Sequence, residues 1–206
     1  ADLPAASSPD QPTWTAFVNP GRHEIKVDRL ESARLLMLWS MAPAHDQSLV
    51  MGADLATTVL GEGRRSRLVS ELRENLQIVE TVDMDLSVLE QGSLVTLEIC
   101  CSEENLGQAE QVVTDQLKRV ADTPIQRWEL ERSQRLVGNG LRFALESATQ
   151  VASMAANQML WNRPQGLLQP LETLESWTND ALRDRLFNHL QPDQACTLVA
   201  LPGEAL

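Results

Sequence analysis

Residues 60–82, LGEGRRSRLVSELRENLQIVETV, decide the fold of this chain, because the predicted secondary structure changes twice within them. Gly61 and Gly63 end a preceding helix and turn the chain, since glycine tolerates the left-handed backbone at a helix C-terminus. Residues 65–77 predict a second helix, with leucines four positions apart on its inner face: Leu68, Leu72 and Leu76. From Ile78 apolar and polar residues alternate, and this period of two predicts an amphipathic strand.

Further strands are predicted on both sides of this block. Residues 23–28 alternate and predict a half-buried strand, whereas the apolar run LLMLW at residues 35–39 predicts a strand that is central in a sheet or covered on both faces. After a turn at Gln91-Gly92, a second alternating segment predicts a hairpin with the strand from Ile78. The apolar face of this segment contains Val95, Leu97, Ile99 and Cys101.

Two helices have clear start signals. Asp46 is the predicted N-cap of a helix that reaches Leu60. Ser102, followed by two glutamates that suit the helix dipole, caps the helix after the hairpin. The predicted buried face of that helix contains Leu106, Ala109, Val113, Leu117 and Val120.

The last part of the chain is predicted as helix, loop, helix and strand. A helical pattern opens at Thr123-Pro124 and runs to residue 161, weakened at Gly138 and Gly140, where it can divide in two. Residues 163–166 form a loop, Thr178 opens a helix to residue 190, and residues 196–201 form a closing strand. The whole order, β-β-α-α-β-β-α-α-α-β, predicts an α+β fold. We expect a two-layer α/β sandwich whose antiparallel or mixed sheet carries helices on one face.

The composition indicates one globular domain after a linker-like start. Residues 1–12 are rich in Pro, Ser and Asp, so we expect a linker or disordered start over residues 1–20 and a single domain over residues 21–206. With 206 residues and 43% hydrophobic content, the chain can bury a core. No apolar run approaches the roughly 20 residues of a membrane helix, so no membrane span is expected.

Charge and cysteine content indicate which classes of binding partner and which cellular compartment are favoured. The formal net charge of −12 disfavours nucleic acid and anionic membranes, which attract basic surfaces. Three cysteines (Cys100, Cys101 and Cys196) do not make a disulfide framework. Their number favours a reducing, cytoplasmic compartment and leaves periplasmic and organellar locations open.

The sequence contains no motif for catalysis by this chain alone. Zinc hydrolases pair two histidines one helical turn apart with a glutamate base. Here His23, His45 and His189 occur singly, so we expect no metal site in this chain. Cys101 is expected in the core and Cys100 on the solvent side of the same strand. Neither has a histidine nearby in sequence, and no Gly-x-Ser-x-Gly elbow is present.

The segment GEGRRSR at residues 61–67 has the glycines of a phosphate-binding loop, in which backbone N–H groups bind the anion. It lacks the Gly-Lys-Ser/Thr ending and follows a helix rather than a strand, which disfavours phosphate binding. A tight helix–turn–helix, with arginines that pair with Glu71 and Glu74 at helical spacing, is favoured instead.

Taken together, these segments resemble the carboxy-terminal half of the insulinase/pitrilysin family of zinc metallopeptidases, which includes mitochondrial processing peptidase. The resemblance covers residues 22–202, and LGEGRRSRL with the following LR is its most specific element. LLMLW, EQGSLVTLEI, SEENLGQAEQVV and WELERSQR match by pattern and order. The resemblance implies a two-layer α/β fold that pairs with another half around a closed chamber. In such enzymes one half holds zinc through an inverted His-x-x-Glu-His motif, and the other helps to hold the peptide.

The resemblance also implies two substrate-binding positions near the zinc, an arginine and a tyrosine seven residues later. Arg73 falls on the arginine position, but Glu80 stands at the tyrosine position, so the pair is broken. Counted along its strand, Glu80 shares a face with Val82 and Met84, where a lone carboxylate is costly unless paired or protonated. Arg73 is one possible partner. Alternatively, Glu80 lies at a frayed strand start and meets solvent.

Two functions follow from the resemblance. The first is the non-catalytic half of an insulinase-like zinc metallopeptidase, which closes the chamber and binds peptide substrate. Its partner would be a zinc-bearing N-terminal half or a separate subunit of the same family, so zinc is expected in the partner half. The second is a catalytically inert structural or assembly subunit of the same fold, which the glutamate at position 80 favours.

Overall fold

The computed structural model describes residues 18–163 and 166–203, which form a five-stranded sheet with helices on one face. The strands are β1 (Gly21–Val27), β2 (Ala33–Met41), β3 (Thr81–Ser87), β4 (Ser93–Cys101) and β5 (Cys196–Pro202). Their order across the sheet is β1-β5-β2-β4-β3, with β1 parallel to β5 and the other pairs antiparallel. The predicted two-layer α+β fold with a mixed sheet is therefore confirmed. The linker expected over residues 1–20 lies mostly outside the described residues.

In the sequence, the helices occur between β2 and β3 and between β4 and β5. The α-helices are α1 (Gln47–Gly61), α2 (Glu103–Asp122), α3 (Arg127–Leu145), α4 (Ala148–Leu160), α5 (Gln169–Glu175) and α6 (Asn179–Leu182). Two π-helices (Val69–Asn75 and Arg183–Phe187) and a 3-10 turn (Pro192–Gln194) complete the helical layer. None of the helices in the described part of the chain combines the length and the apolar character needed to cross a membrane.

The core lies between the sheet and the helices. On β2 and β4 alternate residues are buried, while the residues between them are mostly half-buried, so β2 is central in the sheet and covered on one face only. Helix α1 is buried on most sides, because it packs on β3 and is itself covered by α3 and α5. The face predicted for α2 is the one it buries, residue for residue.

Strand β1 is not the half-buried strand that its alternation predicts. All of its residues are exposed, including Ile25 at 45% and Val27 at 36%. The reason is its place at the sheet edge, where β5 is its only strand neighbour among the described residues. The contact with the helical layer is polar, since Arg22 Nε donates to Glu110 Oε1 of α2 at 2.9 Å.

The second helix of the 60–82 block is wound as a π-helix. Leu68 and Leu72 are fully buried, as predicted, but Leu76 is 37% exposed. A π-helix bonds i to i+5, as in the bond from Leu76 N to Glu71 O at 2.9 Å. Leu76 is the C-cap residue beyond this helix, next to Gln77 with φ +54°, where the chain leaves the helix, so the prediction that it lies on the inner face was wrong.

The helix from residue 123 to 161 is divided, but not at its glycines. Helix α3 runs through Gly138 and Gly140 and ends at Leu145. The break lies at Ser147, whose side chain accepts the N–H of Gln150 at 3.4 Å and so caps α4. Helix α5 was not predicted.

Two of the four residues predicted to open helices form side-chain caps, and Thr123 is instead the C-cap of α2. Asp46 accepts the N–H of Leu49 at 3.0 Å, and Thr178 accepts that of Ala181 at 3.2 Å. Ser102 precedes α2 but makes no capping bond, because its hydroxyl is buried without a partner among the described residues.

Candidate functional site

A groove of about 700 Å³ runs between helix α1 and strand β3. Polar residues of α1 and its C-terminus form one wall: Asp54, Thr57, Thr58 and Glu62. Consecutive residues of β3 form the other wall: Val82, Asp83, Met84, Asp85 and Leu86. Because β3 is the last strand of the sheet, no described strand pairs with its outer edge. A groove beside a free strand edge suits an extended chain.

The two glycines of the 60–82 block shape one end of this groove. Gly61 lies within α1, and a Cβ atom there would be 2.5 Å from the Met84 Cβ of β3. Glycine therefore allows the helix to approach the strand. Gly63 has φ +77° and supplies the predicted left-handed turn. The predicted helix–turn–helix is confirmed.

Arg73 projects from the π-helix Val69–Asn75 and lines the groove. Its Nε donates to Glu74 Oε1 at 3.1 Å, and Glu74 also accepts Arg64 Nε at 3.0 Å. These bonds, first that from Arg64 and then that from Arg73, lower the pKa of Glu74. Glu74 thus pairs with arginines as predicted, but they are one and ten positions away rather than at helical spacing. Glu71 accepts a hydrogen bond from Asn75 instead of an arginine. Arg73 remains 40% exposed and available to a ligand.

The groove is otherwise acidic. Asp54 and Glu62 line it from α1. Asp83 and Asp85 line it along the edge of β3, where their side chains alternate with buried Val82 and Met84 and point to the exposed sheet face. Burial, and then the nearby charge of Glu62, raise the pKa of Asp54 to about 6. Asp54 forms no salt bridge with a described residue, so its charge is poorly compensated at neutral pH. The sequence reading missed this residue, although a single carboxylate inside the apolar pattern of α1 is a signal that could have found it.

Glu80 points away from the groove and does not pair with Arg73. Its carboxylate accepts Ser32 Oγ at 2.9 Å and Cys100 Sγ at 3.4 Å, and it is exposed. Thr81 is paired with Cys100, yet Glu80 N also bonds to Cys100 O at 2.8 Å. Two residues of one strand therefore face one residue of the other, as in a β-bulge, and this shift turns Glu80 to the sheet face opposite the helices. The Arg73 pairing was wrong, and Glu80 lies exposed at the strand start.

Arg67, in the most specific part of the motif, holds two helices together. Its Nε and Nη2 donate to the two carboxylate oxygens of Glu129 at 2.7 and 2.9 Å. Glu129 also accepts the N–H of Gln126 at 2.7 Å in a capping box, so α3 starts at Arg127 and not at Thr123-Pro124. Burial would raise the pKa of Glu129, but the bonds from Arg67 and Gln126 lower it overall.

Arg132 makes a second polar contact of α3, in this case with the C-terminal end of α1. Its Nη2 donates to the carbonyl oxygens of Thr58 at 3.3 Å and of Glu62 at 2.8 Å. These carbonyls belong to the C-terminus of α1, where a cation is favourable. Arg67 and Arg132 are thus structural, and neither lines the groove.

The histidines and cysteines do not form a catalytic group. The part of the chain that is described contains no cluster of three His, Cys, Asp or Glu side chains that could hold a metal ion. Cys100 lies on the predicted sheet face with Thr96 and Glu98, but it is only 6% exposed because Glu80 covers it, so its predicted exposure to solvent was wrong. Burial, then the bond to Glu80, raise the pKa of the Cys100 thiol, and burial raises that of Cys101 to about 11. Neither thiol is an activated nucleophile.

The fold is similar to that of several solved structures. A protease from Helicobacter pylori has a TM-score of 0.77 at 18% identity over 88% of this chain and 44% of its own. A peptidase M16 inactive domain from Pseudomonas fluorescens has a TM-score of 0.79 at 17% identity, covering 93% of this chain and 46% of its own. A chain of complex III2 from Candida albicans has a TM-score of 0.74 at 13% identity, with coverage of 88% and 46%. This chain spans less than half the length of each of these chains.

Sequence comparison identifies the family. The family model described as the peptidase M16 inactive domain matches residues 1–137. Comparison with curated proteins gives no match. The match covers more than half of the chain and agrees with the fold, and it confirms the resemblance to the C-terminal half of insulinase-type zinc peptidases. The chain belongs to the peptidase M16 inactive-domain family.

Proposed function

We propose that this chain closes a peptidase chamber over a zinc-bearing half and holds peptide substrate in the groove between α1 and β3. The observation that carries the proposal is the position of Arg73, which lines the groove beside the free edge of β3. An extended peptide would add its backbone to that edge, and Arg73 would donate hydrogen bonds to a peptide carbonyl or carboxylate. The zinc and the attacking water would belong to the partner half.

The acidic walls suggest which side chains the groove accepts. Asp54 and Glu62 line the groove from α1. A lysine or arginine of the peptide would give Asp54 the counter-charge it lacks among the described residues. Peptides with basic residues would therefore bind more tightly than acidic ones.

Peptide binding can be measured with a fluorescein-labelled, unstructured peptide of about 20 residues that contains lysine and arginine. We expect Arg73→Ala to weaken the binding measured by fluorescence anisotropy by about tenfold, the loss expected for one charge-assisted hydrogen bond. Arg64→Ala is the matched control, because Arg64 shares Glu74 with Arg73 but does not line the groove. Equal affinities for the native protein and both variants would contradict the role of Arg73.

Chamber closure needs a second measurement. Mixing the chain with a zinc-bearing M16 half from the same genome should give a complex on size-exclusion chromatography and raise peptide cleavage by that half. The absence of both effects would contradict this part of the proposal.

A structural or assembly role is the second candidate function. The observation that favours it is Glu80, which stands at the family's tyrosine position and whose carboxylate binds Ser32 and Cys100 instead of facing the groove. The similar chain of complex III2 is part of a large assembly. Unchanged peptide binding in Arg73→Ala, together with intact association with a partner, would favour this role.

A further inference from the structure

A second, smaller cavity lies between the N-terminus of α1 and helix α4. Its volume is about 170 Å³, close to that of engineered protein cavities that bind benzene. Apolar side chains form most of its walls: Val50, Met51, Leu141, Met154 and Trp161. Gln47 and Arg163 also line it. Val50 and Met51 line the α1–β3 groove as well, so the cavity, which we name the α1–α4 pocket, adjoins that groove.

Two polar atoms in this pocket lack partners. Gln47 is 6% exposed, and its Oε1 forms no hydrogen bond with a described residue. The Nη2 of Arg163 is also buried and without a partner in the described part of the chain. Buried donors and acceptors are normally paired, because an unpaired one loses its bonds to water. The pocket is therefore lined by one residue with an unpaired acceptor and one with an unpaired cationic donor.

Neutral groups hold the Arg163 guanidinium in position. Its Nε donates to the backbone oxygen of Ala44, and its Cζ lies 4.8 Å from the centre of the Trp161 ring. No described carboxylate forms a salt bridge with it, and burial alone lowers its pKa. The positive charge is thus fixed by a carbonyl and an aromatic face, without a counter-ion. An uncompensated cation in a mostly apolar pocket favours a compact anion.

We propose that the α1–α4 pocket binds the last residue of a peptide through its free carboxylate. The carboxylate accepts a hydrogen bond from Arg163 Nη2, and the amide N–H of the same residue donates to Gln47 Oε1. An apolar side chain packs among Val50, Met51 and Met154. The same chemistry could come from the side-chain carboxylate of a peptide Asp or Glu. The inference rests on the proposed function, since it places one end of a peptide held in the groove.

A small probe tests the pocket apart from the groove. N-acetyl-leucine carries the carboxylate, the N–H and the apolar side chain, whereas N-acetyl-leucinamide lacks only the charge. We expect the acid to bind about tenfold more tightly, as removal of one charge-assisted hydrogen bond predicts. The readout is the chemical shift of the Trp161 indole N–H in NMR titrations, assigned with Trp161→Phe. Equal shifts with the acid and the amide, or none with either, would overturn the proposal.

Two variants test the polar groups. Arg163→Gln should remove the difference between acid and amide. Gln47→Glu keeps the size of the side chain, suits a helix N-terminus and should repel the carboxylate. Arg127→Gln is the matched control, because Arg127 is an exposed arginine of α3 outside the pocket. Thermal denaturation establishes that each variant is folded; if Arg163→Gln unfolds, Gln47→Glu decides. A folded Gln47→Glu protein with unchanged preference for the acid would refute the assignment.

Peptides separate this inference from the proposed function. One basic peptide sequence is prepared with a free C-terminus, as its amide, and as an amide with glutamic acid as the last residue. If only the peptide with the free C-terminus binds more tightly than the amide, the pocket recognises the C-terminal carboxylate. If the amide that ends in glutamic acid binds as tightly as the free acid, a side-chain carboxylate is recognised as well. If all three peptides bind the native protein equally but Arg73→Ala weakens their binding, the proposed role of the groove is supported and the pocket assignment fails. If none binds, both fail.

Discussion

At the residue scale, the charged side chains of the 60–82 block have two different tasks. Arg67 is directed into the protein, where it binds Glu129 of α3 through both carboxylate oxygens. Arg73 is directed to the groove and stays partly exposed. A sequence motif that identifies the family thus contains one arginine that stabilises the fold and one that is available to a ligand.

The Arg67–Glu129 pair should be important for stability. We expect Arg67→Leu to lower the free energy of unfolding by about 3 kcal/mol, because it leaves a buried carboxylate without its partner. Urea denaturation measures the loss. Arg127→Leu removes an exposed pair with Glu131 and should cost less than about 0.5 kcal/mol. Equal losses in the two variants would show that the buried pair contributes no more to stability than the exposed pair.

Asp54 gives the stability a specific pH dependence. Its pKa is about 6 in the folded protein, above the value near 3.9 of an unfolded aspartate. The folded state therefore binds the proton more tightly, so ionised Asp54 destabilises the fold above pH 6, and the penalty vanishes as the pH falls towards 4.

We accordingly expect Asp54→Asn to be more stable than the native protein by about 1 kcal/mol at pH 7.5. This is less than the full pKa shift corresponds to, because Asp54 is only half-buried and solvent screens part of its charge. The two proteins should unfold at the same urea concentration near pH 4. Asp83→Asn, on the exposed side of β3, should change stability by less than about 0.5 kcal/mol at either pH. A stability difference that is independent of pH would contradict the raised pKa.

At the element scale, the contact between α1 and β3 defines the groove, and it depends on a residue without a side chain. Helix propensity alone would favour alanine at Gly61 by about 1 kcal/mol. However, the added Cβ would come within 2.5 Å of the Met84 Cβ and push the helix from the strand.

We therefore expect Gly61→Ala to destabilise the protein by about 1–3 kcal/mol, as other overpacked cores are. Gly107→Ala is the matched control, since Gly107 lies on the exposed side of α2 and an added Cβ meets nothing within 4 Å. That control should stabilise by about 0.5–1 kcal/mol. Thermal denaturation of both variants measures the contrast, and a gain in stability for Gly61→Ala would disprove the close packing.

At the scale of the whole molecule, the cysteines report on the opening of the sheet. Cys100 and Cys101 are buried at the C-terminal end of β4, whereas Cys196 at the start of β5 is partly exposed. Burial also raises the pKa of both β4 thiols, so little thiolate is present at pH 8.

In the folded protein we expect iodoacetamide at pH 8 to modify Cys196 first. The β4 thiols should react at least about a hundredfold more slowly, with a rate that rises with urea as global unfolding does. Mass spectrometry of the labelled peptides measures each rate. Fast modification of Cys100 or Cys101 without urea would contradict the packing of the sheet.

The sequence by itself determined the order of the strands and of the helices other than α5, the buried face of α2, the hairpin and the family. These features depend on residues within a few positions of one another, where the period of apolar residues reports directly on helix or strand. Tertiary structure decided where Leu76 and Glu80 point, how exposed β1 is, and that Gln47 and Arg163 line one pocket. The orientation of Glu80 follows from a bulge against β4, and the exposure of β1 from its place at the sheet edge. The α1–α4 pocket joins side chains more than a hundred positions apart. Local periodicity contains no information about such contacts, because they form only when separate elements pack together.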